Sequence, residues 1–181
     1  MLTEFARDHA FTIAWFGLMA VVWFGWAQED PPPRWRWALG VGSVLGVAVA
    51  GVFGYTVGLR WNESSALEGV YEWFGVLTLA EVVLAAAGAL ILWRRGASRW
   101  SAWWVAFVVA LHFMPLAFLL RDWSLIVLGV VQVLALAALI PRLQRDETVS
   151  SRLVGPVMGV SLLLFAAVSI VVFYRAEGLP W

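Results

Sequence analysis

Six long apolar segments alternate with short polar stretches along this 181-residue chain. A helix that crosses the hydrocarbon core of a bilayer needs about 20 mainly apolar residues. Segments of that kind occupy residues 10–28, 37–59, 70–93, 100–120, 123–141 and 153–174. The pattern predicts an all-α polytopic membrane protein, a six-transmembrane-helix bundle with short loops. It also predicts that residues 1–181 form a single integral membrane domain.

The composition agrees with the pattern and removes several kinds of chemistry. Hydrophobic residues make up 62% of the chain and charged residues 13%, whereas soluble domains are about half apolar and about a quarter charged. The chain has no cysteine, which excludes disulfides, thiolate metal sites and thiol nucleophiles. It has no lysine, which excludes Schiff-base chemistry. Because the net charge is zero, we expect the lipid bilayer and not nucleic acid as a partner.

The arginines predict an orientation. Eight of the twelve lie in the loops after the first, third and fifth spans. Cytoplasmic loops are enriched in basic residues, so we expect both termini to be extracytoplasmic, in the cytoplasmic membrane of a bacterium-like cell. A cleaved signal peptide is the alternative for the first span. The acidic residues before that span and the lack of a small-x-small site favour a retained helix.

Small residues recur every four positions along the second span. The stripe consists of Gly42, Gly46, Ala50, Gly54 and Gly58. Helices in lipid associate largely through close packing of small residues. We interpret the stripe as helix packing within the bundle, with an interface in a homo-oligomer as the alternative.

Three polar side chains fall near the middle of three consecutive spans. Glu81 lies in the third span, His112 in the fourth and Gln132 in the fifth. A polar group that faced lipid at this depth would cost several kcal/mol, so each should point inward and find a partner. Because consecutive elements are usually neighbours, we expect the three side chains to form one mid-membrane cluster.

This cluster predicts a substrate-binding or proton-binding site, because a carboxyl and an imidazole in contact can share a proton and titrate as a unit. We expect Glu72 and Tyr55, nearer the outward ends of their spans, to line the same cavity. Pro115 lacks an N–H group and is expected to act as a hinge that bends the fourth span beside His112. A purely structural hydrogen bond between Glu81 and His112 is the alternative.

The leading hypothesis is therefore that the protein binds or transports a small molecule or ion through an outward-facing cavity. A non-catalytic membrane sensor, or a partner subunit of a larger complex, is the main alternative. An intramembrane enzyme acting on a lipid-like substrate is the weaker one, and we assign no catalytic residue. We expect no cofactor and no metal, because the two histidines differ in depth and the Glu81–His112 pair lacks a third ligand.

Overall fold

The fold of this chain is a bundle of six long helices. The computed structural model describes residues 4–145 and 147–179. The helices are α1 (Ala6–Ala27), α2 (Arg36–Leu59), α3 (Tyr71–Arg94), α4 (Ser101–Leu119), α5 (Ser124–Arg145) and α6 (Ser151–Glu177). All six are long and apolar enough to cross a membrane, and the described residues form no strand. The predicted all-α six-helix bundle is confirmed, and the chain is a membrane protein.

Several helices extend beyond the apolar segments that predict them. Helix α1 begins at Ala6, α5 continues to Arg145 and α6 continues to Glu177. The predicted spans end where charged residues begin, but long charged side chains can reach water from a helix that continues into the interface. Pro141 lies within α5 and does not end it, in keeping with the tolerance of membrane helices for proline.

The helices divide into two sides that share α6. Helix α1 packs against α2 and α6, while α4 packs against α3, α5 and α6. Phe16 of α1 contacts Phe113 of α4 and Phe165 of α6 edge to face, with ring centroids 5.4 and 5.3 Å apart. The three rings join α1, α4 and α6 at the centre of the bundle.

Glycines bring α1 and α2 close together. A Cβ atom added to Gly46 would lie 2.6 Å from the carbonyl oxygen of Gly17, and one added to Gly42 would lie 2.6 Å from the ring of Phe24. Ala50 continues this contact beside Gly17. At the last two positions of the stripe the situation differs. Around Gly54 and Gly58, no described atom lies within 4 Å of an added Cβ, so the homo-oligomer alternative stays a prediction for that half.

Helix α3 is the peripheral helix. All of its residues are described, and none of them is buried. It packs along α4, where the Trp104 indole N–H donates to the carbonyl oxygen of Leu84 at 3.0 Å. Beside α1, in contrast, α3 borders a cavity.

Candidate functional site

A cavity of about 620 Å³ separates α1 from α3, and α4 contributes its back wall. Most of its lining is apolar. Its aromatic members are Phe11, Trp15, Phe16, Trp61, Tyr71 and Phe74. The volume is in the range of pockets that hold drug-sized molecules.

The inner end of this cavity is formed by Glu81 and His112. Glu81 Oε2 lies 3.2 Å from Nδ1 of His112. On α3, Glu81 shares one face with Tyr71, Phe74 and Thr78, because these positions are three or four residues apart. The sequence-predicted pair is therefore brought together, and it lies at the end of an apolar cavity in mid-helix. We refer to Glu81 and His112 as the floor pair.

The end of the cavity beside the N-terminus of α1 is covered by a roof, which we define as Arg7, Asp8 and the α2–α3 loop at residues 60–70. The Asp8 carboxylate accepts hydrogen bonds from the Ser65 hydroxyl at 3.0 Å and from the backbone N–H of Ala66 at 2.6 Å. The Arg7 guanidinium donates to the carbonyl oxygen of Trp61 at 2.9 Å and to the Tyr71 hydroxyl at 3.3 Å. These bonds connect α1 to the loop and to the first residue of α3.

The cavity reaches the outer surface of the bundle beside two aromatic side chains of α1. Phe11 is 47% exposed and Trp15 is 46% exposed, although both line the cavity. Their rings stack with centroids 6.0 Å apart. The opening therefore lies between α1 and α3, on the side of the bundle. The sequence predicts an outward-facing opening, and which end of the bundle faces outward stays a prediction.

A second, smaller cavity of about 270 Å³ lies between α3 and α4. Its wall includes Leu77, Trp104 and Pro115, and it shares Glu81 and His112 with the larger cavity. The floor pair thus lines both cavities. Pro115 lies on the wall of the smaller one, within an α4 helix that continues from Ser101 to Leu119.

Gln132 does not join the floor pair, so the expected cluster of three is corrected to a pair. Its side-chain Nε2 donates to the Ser161 hydroxyl at 2.8 Å, and the residue is completely buried between α5 and α6. The reason is the position of the helices, since α3 and α5 each pack against α4 but not closely against each other. Equal depth in the membrane therefore does not bring Glu81 and Gln132 into contact.

Tyr55 and Glu72 also lie away from the cavity. Tyr55 is 63% exposed on α2, and Glu72 is exposed on α3. Within the described part of the chain, neither contributes to either cavity wall. Glu72 is nine residues from Glu81, which at about 100° per residue places it on the opposite face of α3. Tyr55 likewise lies on the exposed face of its helix, because the face of α2 that packs inward carries Phe53 and Thr56.

Two residues of the roof and one residue of the cavity wall were not predicted from the sequence as parts of the site. Arg7 and Asp8 look like solvated charges before an apolar segment, yet the Asp8 side chain is buried. A usable signal was present in Trp15. Most tryptophans of the chain lie near helix ends, as membrane-interface residues do, whereas Trp15 lies deep within α1.

The polar groups of the site limit what it can hold. Among residues 4–145 and 147–179, no three carboxylate or histidine side chains are grouped to bind a metal ion. His112 Nε2 is buried and has no hydrogen-bond partner among the described atoms. The floor pair therefore has unused hydrogen-bonding capacity.

Comparisons with known proteins assign no family. No family model, curated protein or solved structure matches the chain. Its function is therefore inferred from the cavity and the floor pair.

Proposed function

We propose that this membrane protein binds a small, largely apolar molecule in the cavity between α1 and α3. The observation that carries the proposal is the combination of about 620 Å³ of apolar and aromatic lining with one polar pair at its inner end. Ligand pockets commonly have this composition, with many apolar contacts and a few polar groups that orient the ligand. Glu81 and His112 would be those orienting groups.

The position of the opening supports access from the bilayer. Phe11 and Trp15 lie inside a helix that is apolar enough to cross a membrane, so an opening beside them would face hydrocarbon. The roof covers the end nearer to water through the hydrogen bonds of Asp8 and Arg7. An apolar molecule concentrated in the membrane would reach the cavity without crossing the roof.

Transport is the second candidate, and a specific observation favours it. The floor pair belongs to the walls of both cavities. A change in its protonation or side-chain position would connect the two spaces. A ligand or a proton would then pass from the α1–α3 cavity toward the groove between α3 and α4.

Catalysis on a lipid-like substrate receives less support. Acid–base chemistry needs an acid or a base beside the reacting atoms and usually further groups that stabilise developing charge. The hydroxyl of Thr78, one turn from Glu81, donates to the carbonyl oxygen of Phe74 at 3.0 Å. The floor pair thus has no neighbouring hydroxyl poised as a nucleophile on that face of α3.

Photolabelling with a small neutral diazirine, 3-trifluoromethyl-3-phenyldiazirine, tests the binding proposal in proteoliposomes. Phe16 and Leu116 are buried and line the cavity, so they are labelled only by probe that has entered it. Lipid-facing Val44 and Val47 are exposed and serve as internal references for probe in the bilayer. We expect saturable labelling of the first two and non-saturable labelling of the references.

A matched pair of variants locates the labelled site. Thr78→Trp adds a large side chain to the cavity wall, whereas Leu79→Trp adds the same side chain to an exposed position next to it. We expect Thr78→Trp to abolish labelling of Phe16 and Leu116 and Leu79→Trp to preserve it. Equal labelling in both variants, or none in the unmodified protein, would contradict binding in this cavity.

A further inference from the structure

The cavity wall contains two carboxyl groups, and their surroundings differ. The Asp8 carboxylate accepts hydrogen bonds from the Ser65 hydroxyl and the Ala66 N–H. Its Oδ1 also lies 3.6 Å from Nε of Arg7. Among the described contacts of Glu81, the one polar partner is His112. The Glu81 side chain remains 21% exposed. A ligand in the cavity can therefore reach Glu81, whereas Asp8 is already satisfied.

An ionised Glu81 carboxylate in the middle of α3 is stabilised by a positively charged partner. Burying an ionised group in the hydrocarbon region is costly unless an opposite charge or several hydrogen bonds accompany it. His112 supplies a positive charge only when it is protonated, and its contact with Glu81 is a single one at 3.2 Å. A ligand with a permanent positive charge would supply the partner at any pH.

The rest of the wall suits an organic cation. Six of its side chains are aromatic, and aromatic faces attract cations that lie within about 6 Å of the ring. Among the described lining residues, the one basic side chain besides His112 is Arg7, in the roof. Arg7 bonds to Tyr71, which lies ten residues from Glu81, or about 15 Å along α3. Because Asp8 also balances its charge, Arg7 would oppose a cation at the floor pair only weakly.

From these contacts we propose that the ligand is a lipophilic organic cation, held with its charge beside Glu81. This inference rests on the proposed binding function and names the ligand class. When the cation binds, one proton leaves the floor pair for the aqueous phase, and the net charge of the site stays constant. Cation affinity therefore rises with pH over the range in which the free floor pair carries the proton.

The titratable groups of the described cavity wall lie at its two ends, the roof and the floor pair. Helix α1 contributes Arg7 and Asp8, α3 contributes Tyr71 and Glu81, and α4 contributes His112. The described wall residues from α2, the loop and α5 are uncharged. Arg7, Asp8 and Tyr71 belong to the roof end, so the pair at the opposite end is where a cation and a proton compete.

Tetraphenylphosphonium, a permanent cation, and triphenylphosphine oxide, a neutral compound with similar rings, provide the test. Binding is measured by equilibrium dialysis against the full chain in zwitterionic nanodiscs, with empty nanodiscs as the correction for partitioning. We expect the cation to bind at least tenfold more tightly than the neutral compound at alkaline pH. Its Kd should rise as pH falls, by up to about tenfold per pH unit for one proton. Calorimetry in buffers of different ionisation enthalpy should show release of about one proton per cation.

Two charge-neutralising variants on α3 separate the floor pair from a general charge effect. Glu81→Gln should lose the preference for the cation and the pH dependence, and keep binding of the neutral compound. Glu72→Gln removes a carboxyl from the exposed face of the same helix and should change neither. Circular dichroism establishes that both variants are folded. If Glu81→Gln does not fold, the cation preference and proton release of the unmodified protein decide the question.

The outcomes distinguish the two proposals. Equal binding of both compounds, or a cation affinity that Glu81→Gln leaves unchanged, would overturn the cation inference. Binding of the neutral compound that Thr78→Trp blocks would still uphold the cavity as a binding site. If neither compound binds, the cation inference is overturned as well, and the photolabelling experiment decides independently whether the cavity takes an apolar ligand.

Discussion

The two sides of this bundle are packed differently. On the α1–α2–α6 side, backbones approach so closely that a single added carbon would collide with a neighbouring main chain at Gly46 and at Gly155. On the α3 side, the helix has no buried residue along its described length and borders a cavity. Close packing also joins α4 to α5, where a Cβ atom added to Gly129 would lie 2.6 Å from the carbonyl oxygen of Ala110. The candidate site lies where α3 faces α1 across the cavity.

The difference between the two sides separates the candidate site from the packing of α1, α2 and α6. Helix α3 is connected to α4 through the contact of Glu81 with His112 and the hydrogen bond from Trp104 to Leu84. At its N-terminal end it is connected to α1 through Arg7. A shift of α3 would therefore change the cavity while leaving the α1–α2–α6 contacts intact. Loosely packed elements are also where functional motion is expected.

The largest predicted effect is on the packed side. Gly46→Ala places a methyl group 2.6 Å from the carbonyl oxygen of Gly17, a backbone atom that cannot rotate away. Overpacking of this kind costs about 3 kcal/mol in stability, so we expect a clearly lower melting temperature in detergent. Thermal unfolding followed by circular dichroism measures it.

Gly54→Ala is the matched control on the same helix and in the same small-residue stripe. No described atom lies within 4 Å of the added carbon, and alanine is favoured over glycine in a helix by about 1 kcal/mol. Its melting temperature should be unchanged or slightly higher. Similar losses in Gly46→Ala and Gly54→Ala would contradict the view that close packing is confined to the half of α2 that faces α1.

An intermediate effect is predicted at the roof. Asp8→Ala removes the acceptor of the Ser65 hydroxyl and of the Ala66 N–H. A buried donor left without its acceptor costs about 2 kcal/mol. The loop at residues 60–70 should then detach from α1 more often, and trypsin should cleave after Arg60 faster than in the unmodified protein.

Glu4→Ala serves as the control, because it removes an exposed carboxyl just before α1. It should leave both the melting temperature and the cleavage rate unchanged. If trypsin cleaves Asp8→Ala no faster than Glu4→Ala, Asp8 does not hold the loop and the roof is not a structural unit.

The fold was predictable because the relevant information lies in runs of consecutive residues. Backbone polar groups in a bilayer must be satisfied within the helix, so a sufficiently long apolar run predicts a span without any knowledge of its neighbours. The roof was not predictable in the same way. Asp8 is buried by a loop residue, Ser65, that lies 57 positions further along the chain. Only the folded arrangement shows that these two residues meet.

The candidate site was predictable in part for a related reason. Counting residues along a span gives the depth of a side chain, and depth correctly paired Glu81 with His112 on adjacent helices. Depth does not give the rotation of a helix about its axis or the side of α4 on which a neighbour packs. Those two quantities separate Gln132 from the pair and place Tyr55 on the exposed surface of α2.

The smallest predicted effect tests that separation at Gln132. Gln132→Leu keeps a similar volume and removes an amide whose Oε1 has no partner among the described residues. Ser161 loses one bond but keeps its own bond to the carbonyl oxygen of Met158 at 2.9 Å. Stability should change by less than about 1 kcal/mol, and tetraphenylphosphonium affinity should equal that of the unmodified protein. If Gln132→Leu instead weakened binding as much as Glu81→Gln, the amide would act together with the floor pair. A group buried between α5 and α6 would then be controlling a cavity on the far side of α4.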